Sequence, residues 1–464
     1  MDVHQPELAA PPSLIQQRAI EQGLRVGELA RQHFPGGVLI EFDPAYISEA
    51  LADTRRAISQ GHKTIFEGAF EFHDVLVRVD VLERQADIGW RLVEVKSSTG
   101  VKPEHIQDVA IQAYVLNGAG LETEQFHLMH LNKACTYPEL SNLFTLEDLT
   151  PQVQGQLSIM AARVDDFHQV LDLPEAPEVL IGQHCNRPYR CPFEEHCWEW
   201  VPPNSIFSIP RLTWPRKEQL LREGLIEITR LPTDFPMGEQ QARYVESARR
   251  QQPIVDWQAI RQELSRLVPP IHFLDFETDA PAVPRFEGLH PYENFPFQFS
   301  CHILLEAGGL SHTEYLHQDD SDPRPPLLDA LLPAISPTGS VVAYNAPFER
   351  SVLKALMTWF PEKTRQLQSI SDRLWDQLKI FQKYYTDYRF DGSCSLKSVL
   401  PVLVPSMSYQ DLAIQQGDAA QATWNLMLKL PPGRERRTLI KDLKKYCGQD
   451  TLAMAALYNY LITY

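Results

Sequence analysis

Acidic side chains sit at alternate positions inside apolar, strand-like runs at two widely separated places in this 464-residue chain. In the first half, VRVDVL places Asp80 between apolar neighbours, and WRLVEVKSS projects Glu94 and Lys96 from one face. In the second half, IHFLDFET puts Asp275 and Glu277 on a common face, because strand side chains repeat every two residues. A carboxylate facing the interior of a sheet is costly unless its charge is compensated. Each run therefore restricts the chain to a sheet whose acidic face meets a cation, a metal or water.

The length predicts two or three domains rather than a single core. Hydrophobic residues make up 44% and charged residues 22%, the balance of an ordinary globular chain. No apolar run reaches the length of a membrane span, about 18 residues or more. The opening MDVHQPELAAPPSL has neither the basic region nor the apolar core of a signal peptide. Seven cysteines without such a signal do not suggest a disulfide framework, so a cytoplasmic location is expected. The net charge of −17 repels phosphate at long range. Against it stands a basic stretch, Arg434, Arg436, Arg437, Lys441, Lys444 and Lys445, which reads equally as a DNA-contacting face or a solvated helix face.

Periodicity and breakers predict a helix over 15–35, a strand over 38–42, a helix over 46–60, and three strands, Thr64 to Phe72, Val75 to Leu82 and Trp90 to Lys96. A helix from Glu104 to Asn117 and a strand from Gln125 to Leu131 follow, an order that suits an α/β core with a mixed sheet. Residues 216 to 267 are polar and helical in places, and residues 201–267 are expected as a connector. A new domain begins with the strand at Ile271. Further strands are expected at Gln298 to Leu305 and Ser340 to Tyr344, and helices at Phe348 to Phe360 and from Arg437 to the end.

At the first acidic run, a divalent metal between Asp80 and Glu94 would compensate both charges, with the Val95 carbonyl as a further oxygen ligand and Lys96 orienting water or stabilising a phosphate. The same three residues also fit a solvent-facing salt-bridge ladder. The arrangement resembles the PD-(D/E)xK nuclease superfamily, in particular its RecB-like branch. The resemblance implies supporting roles for Gln112 and Tyr114 on the next helix, in VAIQAYVL, and for an upstream acid at Glu67, with Glu71 as a rival. Asp108, one helical turn before Gln112, joins the set as a candidate.

Cys185, Cys191 and Cys197 are evenly spaced in HCNRPYRCPFEEHC, a pattern that points to thiolate ligation of a metal; three unliganded thiols are the other reading. Resemblance to RecB-like nucleases of the AddB and CRISPR-adaptation type implies an iron–sulfur cluster that takes one more cysteine from before the nuclease core. Here the first cysteine is Cys135, which leaves the fourth ligand to an upstream segment, Cys135, His184 or His196, and keeps Zn²⁺ as an alternative. Cys301, Cys394 and Cys447 sit in apolar patterns and read as core residues.

The second acidic run is followed by VAYNAPFERSVL, where a strand end leads into a helix carrying Glu349, and by KKYCGQDTLAMAAL, which places Tyr446 and Asp450 on one helix face. Such acids could converge on two Mg²⁺ or Mn²⁺ ions, with Tyr446 positioning or helping to deprotonate water. The ordered trio resembles the DnaQ-like (DEDD) exonuclease superfamily of ribonuclease-H-like fold, in its tyrosine subtype, over about residues 270 to 464. Glu349 stands where that family usually supplies aspartate. Asp376 fits a strand-end acid of the same fold or a structural role.

The whole chain resembles bacterial proteins bearing the domain of unknown function 2779, with the same FLDFET and YCxxDT strings. Together these resemblances imply an α/β protein with a RecB-like nuclease domain over 1–200, the connector, and a DnaQ-like domain over 268–464. The expected activity is metal-dependent hydrolysis of DNA, on single strands or ends, in repair, recombination or defence, with RNA as a possible substrate and a helicase or other protein as partner. No membrane partner is expected. Phe286, Tyr292, Phe295 and Phe297 are candidates either for base stacking or for packing. The alternative is a nucleic-acid-binding adaptor or partner-dependent subunit with one or both sites inactive.

Overall fold

Apolar alternation and well-signalled turns build a mixed α/β protein. The computed structural model describes residues 1–85 and 89–464. These fall into two compact units that interleave along the chain: 1–180, 186–193 and 280–293 form the first, and 181–185, 194–279 and 294–464 the second.

The first unit contains α1 (Leu14–Arg31), β1 (Val38–Leu39), α2 (Ile47–Ser59), β2 (Thr64–Phe72), β3 (Val75–Gln85), β4 (Gly89–Lys96), α3 (Pro103–Gly118), β5 (Thr123–Leu131), β6 (Phe144–Asp148) and α4 (Thr150–Leu171). Ser13 starts α1 with a reciprocal capping box to Gln16, and Pro103 opens α3 where its missing N–H costs nothing. His73 and Asp74 both take positive φ and close the β2–β3 hairpin in two residues, a turn whose twist matches that of the strands. The six strands lie in sequence order. β2, β3 and β4 form an antiparallel meander, and α3 carries the chain over to β5, parallel to β4. Val109, Ala110, Ala113 and Leu116 of α3 pack on Ile65, Val79, Leu92 and Phe126 of the sheet.

Ala280–Glu293, between two strands of the second unit, builds part of the first. Ala282 joins Val26, Leu131, Cys135 and Leu143 in an apolar cluster. Tyr137 and Leu289 pair through their backbones at 3.0 Å, and the Tyr292 hydroxyl donates to the Ser97 carbonyl at 2.7 Å.

The second unit begins with α5 (Glu194–Trp198), α6 (Trp214–Arg222), α7 (Glu239–Arg250), β7 (Ile254–Val255) and α8 (Trp257–Leu264). The stretch expected as a connector thus carries helices, and it has an apolar cluster around Ile206, Leu220, Ile228 and Val245. Then come β8 (Ile271–Asp279), β9 (Phe295–Leu304), β10 (Leu310–Leu316), α9 (Arg324–Ala334), β11 (Val341–Ala343), α10 (Pro347–Trp359), α11 (Thr364–Asp372), β12 (Leu374–Asp376), α12 (Leu378–Lys383), β13 (Tyr385–Thr386), α13 (Leu396–Leu403), α14 (Gly417–Lys429) and α15 (Arg434–Thr463). The main sheet has the order β10-β9-β8-β11-β12. In it β9 runs antiparallel to both β10 and β8, while β11 runs parallel to β8 and β12 parallel to β11.

Alternation divides the two faces of this sheet. Leu274 and Phe276 of β8 pack with Leu327, Val352, Leu356 and Leu367 from α9, α10 and α11. Asp275 and Glu277 therefore point to the other face, where α15 lies. There Ser300 and His302 of β9 hydrogen-bond Thr451 at 2.7 and 2.8 Å, and the Gln298 amide donates to the Leu443 carbonyl at 3.0 Å. Phe295 and Phe297 are fully buried, and Phe297 stacks on Trp424 at 4.4 Å, so neither ring is available to a base. Among the described residues, no helix is long and apolar enough to cross a membrane.

Candidate metal centres

In the first unit the β3–β4 ladder runs from Gln85↔Gly89 to Val81↔Val93 and goes no further. Beyond it the Val95 N–H donates to the Asp80 carboxylate at 2.7 Å. Burial, then the charge of Glu94, hold the Asp80 carboxyl well above its usual range, and Glu67 adds to the repulsion. Burial also raises Glu94, against the opposing pull of Lys96. The Lys96 ammonium contacts Glu94 at 2.7 Å and Asp108 at 2.5 Å. Burial lowers the Lys96 pKa, but the two carboxylates outweigh it and the net shift is upward. Gln112 donates to Glu94 at 2.9 Å and leaves its own oxygen buried without a partner.

Glu67 has φ 57°, a left-handed conformation that is rare for a strand residue and stores backbone strain. Its carboxylate holds Arg78 at 2.8 Å, whereas Glu71 is exposed. Tyr114 lies elsewhere: its hydroxyl pairs with His73 Nδ1 at 3.0 Å and its ring packs on Phe72. Two residues apart on α3, Gln112 and Tyr114 point to opposite sides of the helix.

The second unit gathers the other acids. Asp275 and Glu277 come from β8, Glu349 from the first turn of α10, and Asp450 from α15. Asn345, at φ 80°, turns the chain from β11 toward α10, and its N–H donates to Asp376 at 3.2 Å. Burial, followed by the charge of Asp450, raises Asp275; burial, Asp275 and Asp450 raise Glu277; burial and Asp275 raise Glu349. Asp450 is pushed up to about 6 by burial, against lowering by Tyr409, Lys397 and Tyr446. Glu349 is 1% exposed, and its Oε2 has no hydrogen-bond partner. Four carboxylates that repel one another in the interior, one with an orphaned oxygen, are a donor set that suits a divalent cation.

Three further groups at this site were not anticipated. Lys397, on α13, donates to the Tyr446 hydroxyl at 2.9 Å and lies 5.0 Å from the centre of its ring. Tyr409 donates to Asp450 at 2.5 Å. Cys447, read as a core residue, is buried but places its sulfur 3.6 Å from Asp275 Oδ2. Asp275, Glu277 and Cys447 form the one group, among the described residues, of three metal-ligating side chains whose ligand atoms all lie within 4.8 Å. The sequence carried a signal for Cys447, since it stands three residues before Asp450 on one helix. An open cleft of about 480 Å³, lined by Asp275, Asn345, Lys397, Asp450 and neighbours, leads to the acids. On α15 the side chains of Arg434, Arg437, Lys441 and Lys445 are exposed at helical spacing and form one cationic stripe. Arg436 and Lys444 are engaged, with the Leu430 carbonyl at 3.1 Å and with Glu314 at 3.0 Å.

Cys185 is buried, and Cys191 and Cys197 are half-buried. Cys185 ends the short turn Gln183–Cys185 and Cys197 lies on α5, both in the second unit; Cys191 belongs to the first. His184 and His196 lie on the same two short elements, whereas Cys135 is buried in the first unit, with its sulfur 3.5 Å from the Glu139 carbonyl.

Residues 272–395 match the family described as domain of unknown function (DUF2779). The match starts within the strand of Asp275 and Glu277 and includes Glu349. The chain is also 32% identical over 207 residues to "Uncharacterized protein MG366 homolog" of Mycoplasma pneumoniae, covering 40% of this chain and 31% of that protein. With "Uncharacterized protein MG366" of Mycoplasma genitalium it shares 25% identity over 211 residues, covering 41% of this chain and 31% of the relative. The matches thus span under a third of each relative's length. A solved structure titled "Crystal structure of SSO0001" aligns with 41% of this chain and 84% of its own at 12% identity, with a TM-score of 0.18, a likeness too slight to carry an argument.

Proposed function

We propose that the chain is a metal-dependent nuclease that hydrolyses phosphodiester bonds of DNA, acting on single strands or ends. The observation that carries this reading is the set of half-buried Asp275 and buried Glu277, Glu349 and Asp450, with the orphaned Glu349 oxygen, beside an open cleft. The strand order β10-β9-β8-β11-β12, with three antiparallel strands followed by two parallel ones, supports a ribonuclease-H-like, DnaQ-like second unit. The β2–β3–β4–α3–β5 run, with Asp80, Glu94 and Lys96 where β3 and β4 part, supports a PD-(D/E)xK reading of the first. The cationic stripe on α15 gives a net-acidic chain a local surface for a polyanion.

Asp275, Glu277, Glu349 and Asp450 would hold Mg²⁺ or Mn²⁺ in the second unit, and Asp80 and Glu94 in the first. A bound divalent ion supplies Lewis acidity and lowers the pKa of water. The Tyr446 hydroxyl accepts from Lys397 and stabilises the Asp450 carboxylate, so it is fixed where it can position a water. Tyr409 donates to the same carboxylate. In the first unit Gln112 fixes Glu94, and Lys96 supplies a positive charge for a phosphate oxygen. Cys185, Cys191 and Cys197 are proposed, on their spacing, as ligands of an iron–sulfur cluster or Zn²⁺. Repair, recombination or defence, with a helicase as partner, is the setting this chemistry suits, and RNA is the alternative polymer.

A second reading is a nucleic-acid-binding adaptor or partner-dependent subunit. In its favour is Glu349, whose extra methylene shifts the carboxylate from where the resembling family places aspartate. Cleavage of end-labelled single- and double-stranded DNA with Mg²⁺ or Mn²⁺ decides between them, using wild type, Lys96→Ala and Asp450→Ala. Loss of cutting in one variant assigns the activity to that unit. No cutting by wild type that demonstrably binds the metal would refute the stand-alone nuclease.

A further inference from the structure

The Cys447 thiol is an unusual neighbour for the half-buried Asp275 and the buried Glu277. Oxygen-only sites suit Mg²⁺, whereas a thiolate favours Zn²⁺ and related ions. The separations of these three side chains leave room for a shared ion. Bonds of about 2.3 Å to sulfur and about 2.1 Å to oxygen, at a tetrahedral angle, place sulfur and oxygen about 3.6 Å apart; a right angle would place them about 3.1 Å apart. The protonated Cys447 thiol donates to Asp275 Oδ2 at 3.6 Å, a separation that the tetrahedral arrangement also allows, and Glu277 brings its own oxygen within 4.8 Å of both. A second observation points to a ligand at the same place. Glu349, 1% exposed, has an oxygen without a partner, and it feels the charge of Asp275. A dry salt-bridge network would have satisfied that oxygen, because a buried polar atom left unpaired is costly.

We infer that Cys447 is itself a metal ligand, and that the Asp275–Glu277–Cys447 corner takes an ion of the Zn²⁺ class in preference to Mg²⁺. The inference rests on the metal-binding role proposed for these carboxylates and adds the sulfur and the ion class. On ligation the thiol proton leaves to solvent and the thiolate binds. Glu349 and Asp450, which both interact electrostatically with Asp275, remain as oxygen donors beside that corner.

The test is binding of Co²⁺, a spectroscopic stand-in for Zn²⁺, to the full chain, with calorimetric titrations of Zn²⁺ and Mn²⁺. A sulfur-to-cobalt charge-transfer band requires a thiolate ligand, and subtracting the Cys447→Ser spectrum from wild type removes any contribution of Cys185, Cys191 and Cys197. Cys447→Ser is expected to lose part of the band and to weaken Zn²⁺ binding about ten- to a hundredfold, while Mn²⁺ binding changes less than about threefold. Asp275→Asn, which keeps the thiol, should lose the same part of the band. It carries the test if Cys447→Ser does not fold by circular dichroism. A wild-type Co²⁺ spectrum retained by folded Cys447→Ser, or by Asp275→Asn, overturns the inference. Mn²⁺ binding that depends on Asp275 but lacks a Cys447-dependent band overturns the sulfur ligand and leaves the carboxylate site standing. Absence of any Asp275-dependent binding of Co²⁺, Zn²⁺, Mn²⁺ or Mg²⁺ overturns both.

Discussion

Replacing Asp450 with asparagine is expected to stabilise the metal-free chain at neutral pH. Asp450 is 8% exposed, and burial raises its carboxyl from 3.8 to about 6. A carboxyl whose folded-state pKa lies above its unfolded value binds its proton more tightly in the folded chain. Stability is therefore greatest below the unfolded value and falls as pH rises through the interval from 3.8 to about 6. Integrated to pH 7, the penalty is about 3 kcal/mol. Asparagine removes the charge and keeps an acceptor oxygen for Tyr409, whose hydroxyl is 2.5 Å away. Losing the charge from that bond costs about 1 kcal/mol. The net gain is about 2 kcal/mol, read as about thirtyfold slower hydrogen exchange of α15 amides in chelator at pH 7. Near pH 4.5 the gain should shrink to about zero, because wild type is then largely protonated at this position. Mn²⁺ at a hundred times its dissociation constant should protect wild type by about 2.7 kcal/mol and the variant far less. Exchange in Asp450→Asn as fast as in wild type, in chelator at pH 7, would refute the account of the site as a set of uncompensated buried charges.

Other expectations follow from the same geometry. Lys96→Ala leaves Glu94 buried without its cation and should cost about 3 kcal/mol at pH 7, less at pH 5, by urea denaturation followed through the first unit. Phe297→Ala, which empties a fully buried site stacked on Trp424, should cost about 3–5 kcal/mol in thermal or urea unfolding of the second unit. Replacing both Arg437 and Lys441 with serine should flatten the salt dependence of single-stranded DNA binding by about 1.4 in log–log slope; an unchanged slope removes the α15 stripe from the interface. Elemental analysis of anaerobically purified chain should find iron or zinc that is lost in Cys191→Ser; a metal-free wild type excludes both ions from the cysteine motif.

Much of the scaffold was legible because the strands that hold the acids are amphipathic or uniformly apolar and end in clear turns. The run from Thr64 to Phe72 agrees with its strand at both ends, and β8 begins at Ile271 as periodicity requires. Period two also put Glu94 with Lys96, and Asp275 with Glu277, on common faces. β6 escaped notice because its five residues, FTLED, are half-exposed or exposed and show no clean alternation. Lys397 and Tyr409 were invisible for a different reason: they reach the acids from α13 and from the segment after it, and no local period links them to Asp450. Tyr114 shows the converse. A motif-based pairing with Gln112 ignores the helical turn that sends the two side chains apart.

The excursion Ala280–Glu293 has a consequence for synthesis. About a hundred residues separate Leu180 from Ala280, so the ribosome releases nearly all of the first unit well before the segment that fills its last place beside Val26 and Leu131. At about 5–20 residues per second, that place stays open for about 5–20 s. During this interval the nascent first unit exposes apolar surface that only its own later sequence can cover, which makes it a client for chaperones while most of the second unit is still being made.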